Sequence, residues 1–149
     1  MDKISEVWII KDSGLLLFNQ SVESSVDIEI DEMLFSGFLS SIQSFIKEIG
    51  EKKLERLELG TSKLTFYNLD EYGVFVVLRS PKKTKNKFLE KKIKHVQEKF
   101  IEKYGNHIIN MTKNNLPVKT EDFIGFKNDL ETIFEPDIAK NIDKWFEGL

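Results

Sequence analysis

The sequence predicts one α/β domain of the α+β kind: a five-stranded, mostly antiparallel sheet with helices on both faces, in the order β-β-α-β-β-β-α-α. Three observations predict it. Val7-Trp8-Ile9-Ile10 and Val74-Phe75-Val76-Val77-Leu78 are unbroken apolar runs of strand length, and a strand apolar on both sides belongs in the middle of a covered sheet. Leu34, Phe35, Phe38, Leu39, Ile42, Phe45, Ile46 and Ile49 recur at three- and four-residue spacing, the mark of an amphipathic helix. The 149 residues, 40% of them hydrophobic, suit one domain that builds its core without staples.

The elements follow in order. The first run is a strand, Lys11-Asp12-Ser13-Gly14 a polar turn ending in glycine, and Leu15-Leu16-Leu17-Phe18 the return strand. Residues 19–30 are polar and acidic and read as a loop. Asp31 is an N-cap, Glu32 suits a first turn, and Gly50 ends the helix between. On that helix the apolar stripe is expected to face the core. Ser36, Ser40, Ser41, Gln43, Ser44, Lys47 and Glu48 are expected to form the outer face. Three strands follow: one around Leu54, Leu57 and Leu59, one with Leu64 and Phe66 inward, and the run Val74–Leu78. After Pro81 a helix is expected over 86–104, striped by Leu89, Ile93, Val96, Phe100 and Tyr104 and stopped at Gly105. Two shorter helical pieces close the chain, one carrying Phe123, Phe126, Leu130 and Ile133, the other opening at Pro136 and carrying Trp145 and Phe146. The whole of 1–149 is expected to be a single domain, with its core in 3–105 and a helical segment at 117–147.

Composition narrows the chemistry. The absence of cysteine excludes disulfides, thiolate metal sites and a cysteine nucleophile. No apolar run approaches the roughly 20 residues of a membrane span. The N-terminus lacks the basic-then-apolar pattern of a signal peptide, so a cytoplasmic location is expected. His95 and His107 have no companions at metal-ligand spacing, and there is no phosphate loop, dinucleotide fingerprint or nucleophile elbow. Asp12-Ser13-Gly14 reads as turn chemistry rather than a nucleophile. The acidic Asp27, Glu29, Asp31 and Glu32 read as a solvated loop with a cap rather than a cation site. No catalytic residue, metal or cofactor is expected.

The order of elements and the hydrophobic pattern resemble a longin domain, in the profilin-like group that includes roadblock domains. The resemblance rests on the hairpin Val7–Phe18, the helix Leu34–Ile49, the meander Leu54–Leu78 and the helix Phe88–Tyr104. Tyr72-Gly73-Val74-Phe75-Val76-Val77, leading into a basic helix, is typical of the group. Roadblock domains usually begin with an extra helix that this sequence lacks, which favours the longin branch. The resemblance implies a non-enzymatic docking module: an adaptor or scaffold for small GTPases or a trafficking-type complex, paired as a homodimer or with a similar domain.

On that fold the strand Leu54–Gly60 lies at the sheet's rim beside the first helix, and an apolar rim strand invites pairing. The expected docking surface is therefore Leu54, Arg56, Leu57, Glu58 and Leu59 with Ser36, Ser40, Gln43 and Ser44 of the helix. A second reading starts from charge. Arg79 to Lys103 holds 10 basic and 3 acidic residues, within a chain of net charge −3. Lys82, Lys83, Lys85, Lys87, Lys91 and Lys92 then make an anionic membrane surface the partner. Nucleic acid is not expected, because these lysines come without arginines or an aromatic ladder. A third reading is a small-molecule sensor, against which the bulky core residues Trp8, Phe35, Phe38, Phe45, Phe66 and Phe75 argue, since they leave no room for a cavity. Arg56 and Arg79 are the only arginines, and neither is expected to act as a finger on a bound GTPase.

Overall fold

The computed structural model describes residues 2–22, 31–51 and 53–134. Five strands form one antiparallel sheet: β1 (Glu6–Lys11), β2 (Leu16–Ser21), β3 (Arg56–Glu58), β4 (Ser62–Leu69) and β5 (Val74–Pro81). Their spatial order is β2-β1-β5-β4-β3. The two doubly apolar runs therefore stand inside the sheet, as expected, with Val7 to Ile10 and Val74 to Leu78 all buried.

Helix α1 (Glu32–Glu48) covers one face of the sheet. The other face carries α2 (Asn86–Lys113), a short 3-10 turn at Thr120–Phe123, and a third helix, α3, over 126–134. Alternation along the strands divides the core accordingly. Trp8, Ile10, Leu16, Leu39, Leu64, Phe66, Phe75 and Val77 pack on the α1 side. Val7, Ile9, Val76, Leu78, Leu89, Ile93, Val96, Phe100 and Tyr104 belong to the larger core on the α2 side. A bulge in β2 sends Leu17 and Phe18 to that same side: Ile9 pairs with Phe18 but Ile10 with Leu16, so Leu17 is the extra residue.

The local signals work as the residue types require. Gly14 closes the first hairpin at φ 94°, and its N–H donates to the Lys11 carbonyl at 2.8 Å. Asp31 caps α1, its Oδ1 accepting from Leu34 N–H at 3.0 Å. Gly50 ends α1 at φ 90°; its N–H reaches the Lys47 carbonyl, and that of Glu51 reaches Ile46.

Helix α2 departs from expectation. It runs through Gly105 to Lys113, nine residues past the expected stop at Tyr104. Gly105 is buried inside the helix because Tyr72 lies on it: a Cβ there would stand 3.2 Å from Tyr72 Cε1 and 3.1 Å from Ile101 Cγ2. The real stop is Asn115, in the left-handed region at φ 53°, with its N–H on Thr112 and that of Leu116 on Met111.

The segment after Pro117 is part of the core. Val118, Phe123, Phe126, Leu130 and Phe134 are buried, and Phe123 and Phe126 stack against Phe100 and Tyr104. Thr120 Oγ1 donates to the Leu16 carbonyl at 3.0 Å, and Lys103 Nζ pairs with Asp129 at 2.7 Å. The expected second piece, with Trp145 and Phe146, lies outside the described residues.

Candidate docking face

The orientation of α1 is the reverse of the one its sequence suggests. Ser36, Leu39, Ser40 and Gln43 face the sheet and are 0 to 7% exposed. Leu34, Phe38, Phe45 and Ile49 point to solvent at 74, 54, 62 and 58% exposure. At 100° per residue these four side chains fall within one narrow sector, opposite the serines. The helix is amphipathic, but its apolar side is the outer one.

The hydroxyls explain how a polar face is buried. Ser36 Oγ donates to the Gly14 carbonyl at 2.7 Å and Ser40 Oγ to the Asp12 carbonyl at 2.6 Å. Both carbonyls belong to the β1–β2 turn, so α1 satisfies the turn's acceptors while lying close to it. Gln43 Oε1 accepts from Leu54 N–H at 3.4 Å, tying the chain that leads into β3 to the helix. Small side chains permit this approach, and Leu39 with the half-buried Phe35 fills the space over Trp8; the Trp8 and Phe35 rings are 4.9 Å apart.

The expected docking residues therefore divide. Ser36, Ser40 and Gln43 are inside and are not a contact surface, which corrects their assignment as outer-face residues. Ser44, Glu58 and Leu59 are exposed. Leu54 and Leu57 are half-buried against the α1-side core, so their substitution would test folding before docking. β3 does lie at the sheet's rim, although it is only three residues long. The apolar outer residues of α1 carry the signal the serines were expected to carry. An excess of large apolar positions over what one helix face can bury was visible in the sequence.

The remaining candidates are placed as follows. Lys82, Lys83, Lys85, Lys87 and Lys91 are exposed around the start of α2. Lys92 is buried: its Nζ donates to the Ile133 carbonyl at 3.1 Å and lies over the rings of Phe88 and Phe134, so it leaves the expected anionic-surface set. Arg79 pairs with Glu6 across β1 and β5 at 3.5 Å, and Arg56 with Glu90 at 3.6 Å. His95 is exposed. His107 Nε2 meets Asp122 Oδ2 at 3.0 Å; that hydrogen bond, with one from the Lys119 N–H, holds the Asp122 carboxyl below its ordinary value. Asp31 serves as a cap, and Asp27 and Glu29 lie outside the described residues. Among the described residues no group of three His, Cys, Asp or Glu could hold a metal, and no helix is long and apolar enough to cross a membrane.

Comparison with solved structures agrees with this architecture. MglB of Myxococcus xanthus superposes with a TM-score of 0.52 at 16% identity, over 69% of this chain and 85% of that one. A Roadblock/LC7 domain from Streptomyces avermitilis superposes with a TM-score of 0.53 at 9% identity, over 71% and 86%. The likeness establishes the fold: a five-stranded sheet of the roadblock/longin type. No protein-family model and no curated protein matches the sequence.

Proposed function

We propose that this chain is a protein-binding module, a non-enzymatic adaptor that docks its partner on the outer face of α1 and the adjoining rim strand β3. The observation that carries this reading is the inverted helix. Leu34, Phe38, Phe45 and Ile49 stand in water while serines occupy the inner face. Single exposed apolar residues are ordinary; four aligned on one helix mark an interaction surface. Burying a large apolar side chain is worth about 1.5–3 kcal/mol, so covering this row supplies a substantial driving force for association. The roadblock/longin resemblance directs the partner's identity to a small GTPase or a similar domain, a second copy included.

Light scattering coupled to size exclusion tests this, on the protein alone and mixed with small GTPases of the same genome. The expected result is a homodimer or a co-eluting complex, lost in Phe38→Glu and Phe45→Glu while the melting temperature holds. A wild-type protein that stays monomeric and retains no GTPase overturns the proposal.

Charge supports a second reading. The exposed Lys82, Lys83, Lys85, Lys87 and Lys91 cluster where α2 begins, and its first turn holds no acidic residue. A peripheral contact with an anionic membrane would show as cosedimentation with phosphatidylserine vesicles that weakens as salt rises.

A further inference from the structure

The surface holds a cleft. At the β3 rim the sheet extends beyond the cover of α2, leaving a hollow of about 330 Å³ between Arg56, Thr65 and Tyr67 on one side and Glu90, Ile93 and Lys94 on the other. Its volume lies at the lower end of the range of small-molecule sites.

The floor is polar and unsatisfied. Arg56 and Thr65 are direct cross-strand partners, so both side chains leave the same side of the sheet. That side is the α2 side, because Thr65 in turn pairs with Leu78 of the α2-side core. Thr65 is 3% exposed, and among the described residues neither its Oγ1 nor the buried Arg56 Nε has a hydrogen-bond partner. Enclosed polar atoms without partners are uncommon in folded proteins, and each one is costly. Both can donate a hydrogen bond, the threonine hydroxyl being able to accept as well, so an acceptor placed in the cleft would satisfy the two together.

The surroundings specify which acceptor. Lys53, Arg56 and Lys94 line the cleft against Glu55 and Glu90, an excess of one positive charge. Glu90 stands 3.6 Å from Arg56 Nη2, an ion pair too long for a hydrogen bond. Its carboxylate, on a side chain 68% exposed, supplies charge to the guanidinium without satisfying Nε or the threonine. Arginine presents a planar fork suited to oxyanions, and a hydroxyl beside it completes a two-residue cradle. Ile93 and the partly exposed Tyr67 ring offer an apolar wall for whatever carries the anion.

We propose that this cleft binds a small molecule through an oxyanion, a phosphate or carboxylate group held by Arg56 and Thr65, with Glu90 as its built-in competitor. The site lies on the α2 side of the sheet, away from the outer face of α1, and shares only Arg56 of β3 with the proposed docking surface; because it is read on the chain alone, its test stands whether or not a partner docks.

The test is a titration of the full chain with inorganic phosphate and, separately, with acetate, followed by two-dimensional NMR of backbone amides and the arginine Nε–H. Saturable shifts are expected at Thr65, Arg56 and their strand neighbours. Response to phosphate alone, acetate alone or both tells which oxyanion fits. Glu90→Gln should tighten binding several-fold, because it removes the competing carboxylate. Thr65→Val, equal in shape but without the hydroxyl, should weaken it several-fold. Arg56→Gln should abolish it. If neither anion shifts these resonances in the wild type or in Glu90→Gln, the proposal is overturned. The same holds if Glu90→Gln leaves the affinity unchanged, because the contact with Arg56 is then no more than a surface ion pair.

Discussion

Ser36 and Ser40 decide how α1 sits. A serine is read from sequence as surface, because its hydroxyl prefers water to hydrocarbon. Here each hydroxyl finds a carbonyl of the β1–β2 turn at 2.6 to 2.7 Å, so burial leaves neither group unsatisfied. Ser40→Ala should cost about 1–2 kcal/mol, because it strands the Asp12 carbonyl under the helix; denaturant unfolding at constant m-value reads this directly. His107 and Asp122 pose a different question, one of pH. An ionised carboxylate can only accept, so the imidazole Nε2 carries the hydrogen in this pair. The folded Asp122 carboxyl titrates below its ordinary value of 3.8, first through that bond and then through the Lys119 N–H. A lowered carboxyl contributes stability fully present above 3.8 and lost as pH falls through the folded value. Asp122→Asn should therefore lower stability slightly at neutral pH, where the contribution is present, and flatten the acid limb so that variant and wild type converge as pH falls. The pair is exposed, so the effect should be small and should shrink further in salt. Neither contact was legible in the sequence. A serine does not announce its acceptor, and His107 and Asp122 meet only because α2 overruns Gly105 and the chain returns beside it.

At the scale of the element, α1 separates what periodicity tells from what it leaves open. The spacing of Leu34 to Ile49 identified the helix, and Asp31 and Gly50 marked its ends. Periodicity shows that a helix has two faces; it does not say which face meets the chain's own sheet and which meets something else. The count of large residues held the clue. Leu34, Phe35, Phe38, Leu39, Ile42, Phe45, Ile46 and Ile49 together exceed one ordinary apolar stripe, and half of them remain outside. A matched pair of substitutions tests the assignment. Leu39→Ala, at a fully buried position, should cost about 3 kcal/mol, whereas Phe38→Ser one residue earlier should change monomer stability by no more than about 0.5 kcal/mol. If Phe38→Ser in a monomer proves as damaging as Leu39→Ala, the stripe belongs to the fold and not to a partner. In α2 the misleading residue was glycine. Replacing Gly105 by alanine gains helix propensity of up to about 1 kcal/mol but drives a methyl against Tyr72. The expected result is a net loss in the native background that is relieved in part when Tyr72 is first shortened to serine, the contact with Ile101 remaining; a double-mutant cycle measures that relief.

The whole molecule is a sheet between two unequal covers. The inner place of two strands was legible because Val7–Ile10 and Val74–Leu78 have no polar side, so both had to be inside. The unequal covers were not legible, because segments distant in sequence build the larger one. The α2-side core needs Val118, Phe123, Phe126, Leu130 and Phe134, all contributed after Pro117. Nothing in the spacing of those residues says that they close over Phe100 and Tyr104 rather than dock elsewhere. Truncation before Pro117 makes the difference measurable. It removes five buried side chains, each worth about 1.5–3 kcal/mol in burial, and uncovers the Phe100 and Tyr104 rings in the same step. The summed loss, about 10 kcal/mol, matches the entire stability of a typical domain, about 5–15 kcal/mol. The truncated chain should therefore lose cooperative thermal unfolding and bind a dye for exposed apolar surface, even though every strand of the sheet is intact. The full chain, measured in parallel, retains all five side chains and should unfold cooperatively. A cooperative transition in the shorter chain would show that the sheet and α2 carry the fold alone, and that the segment 118–134 is an appendage.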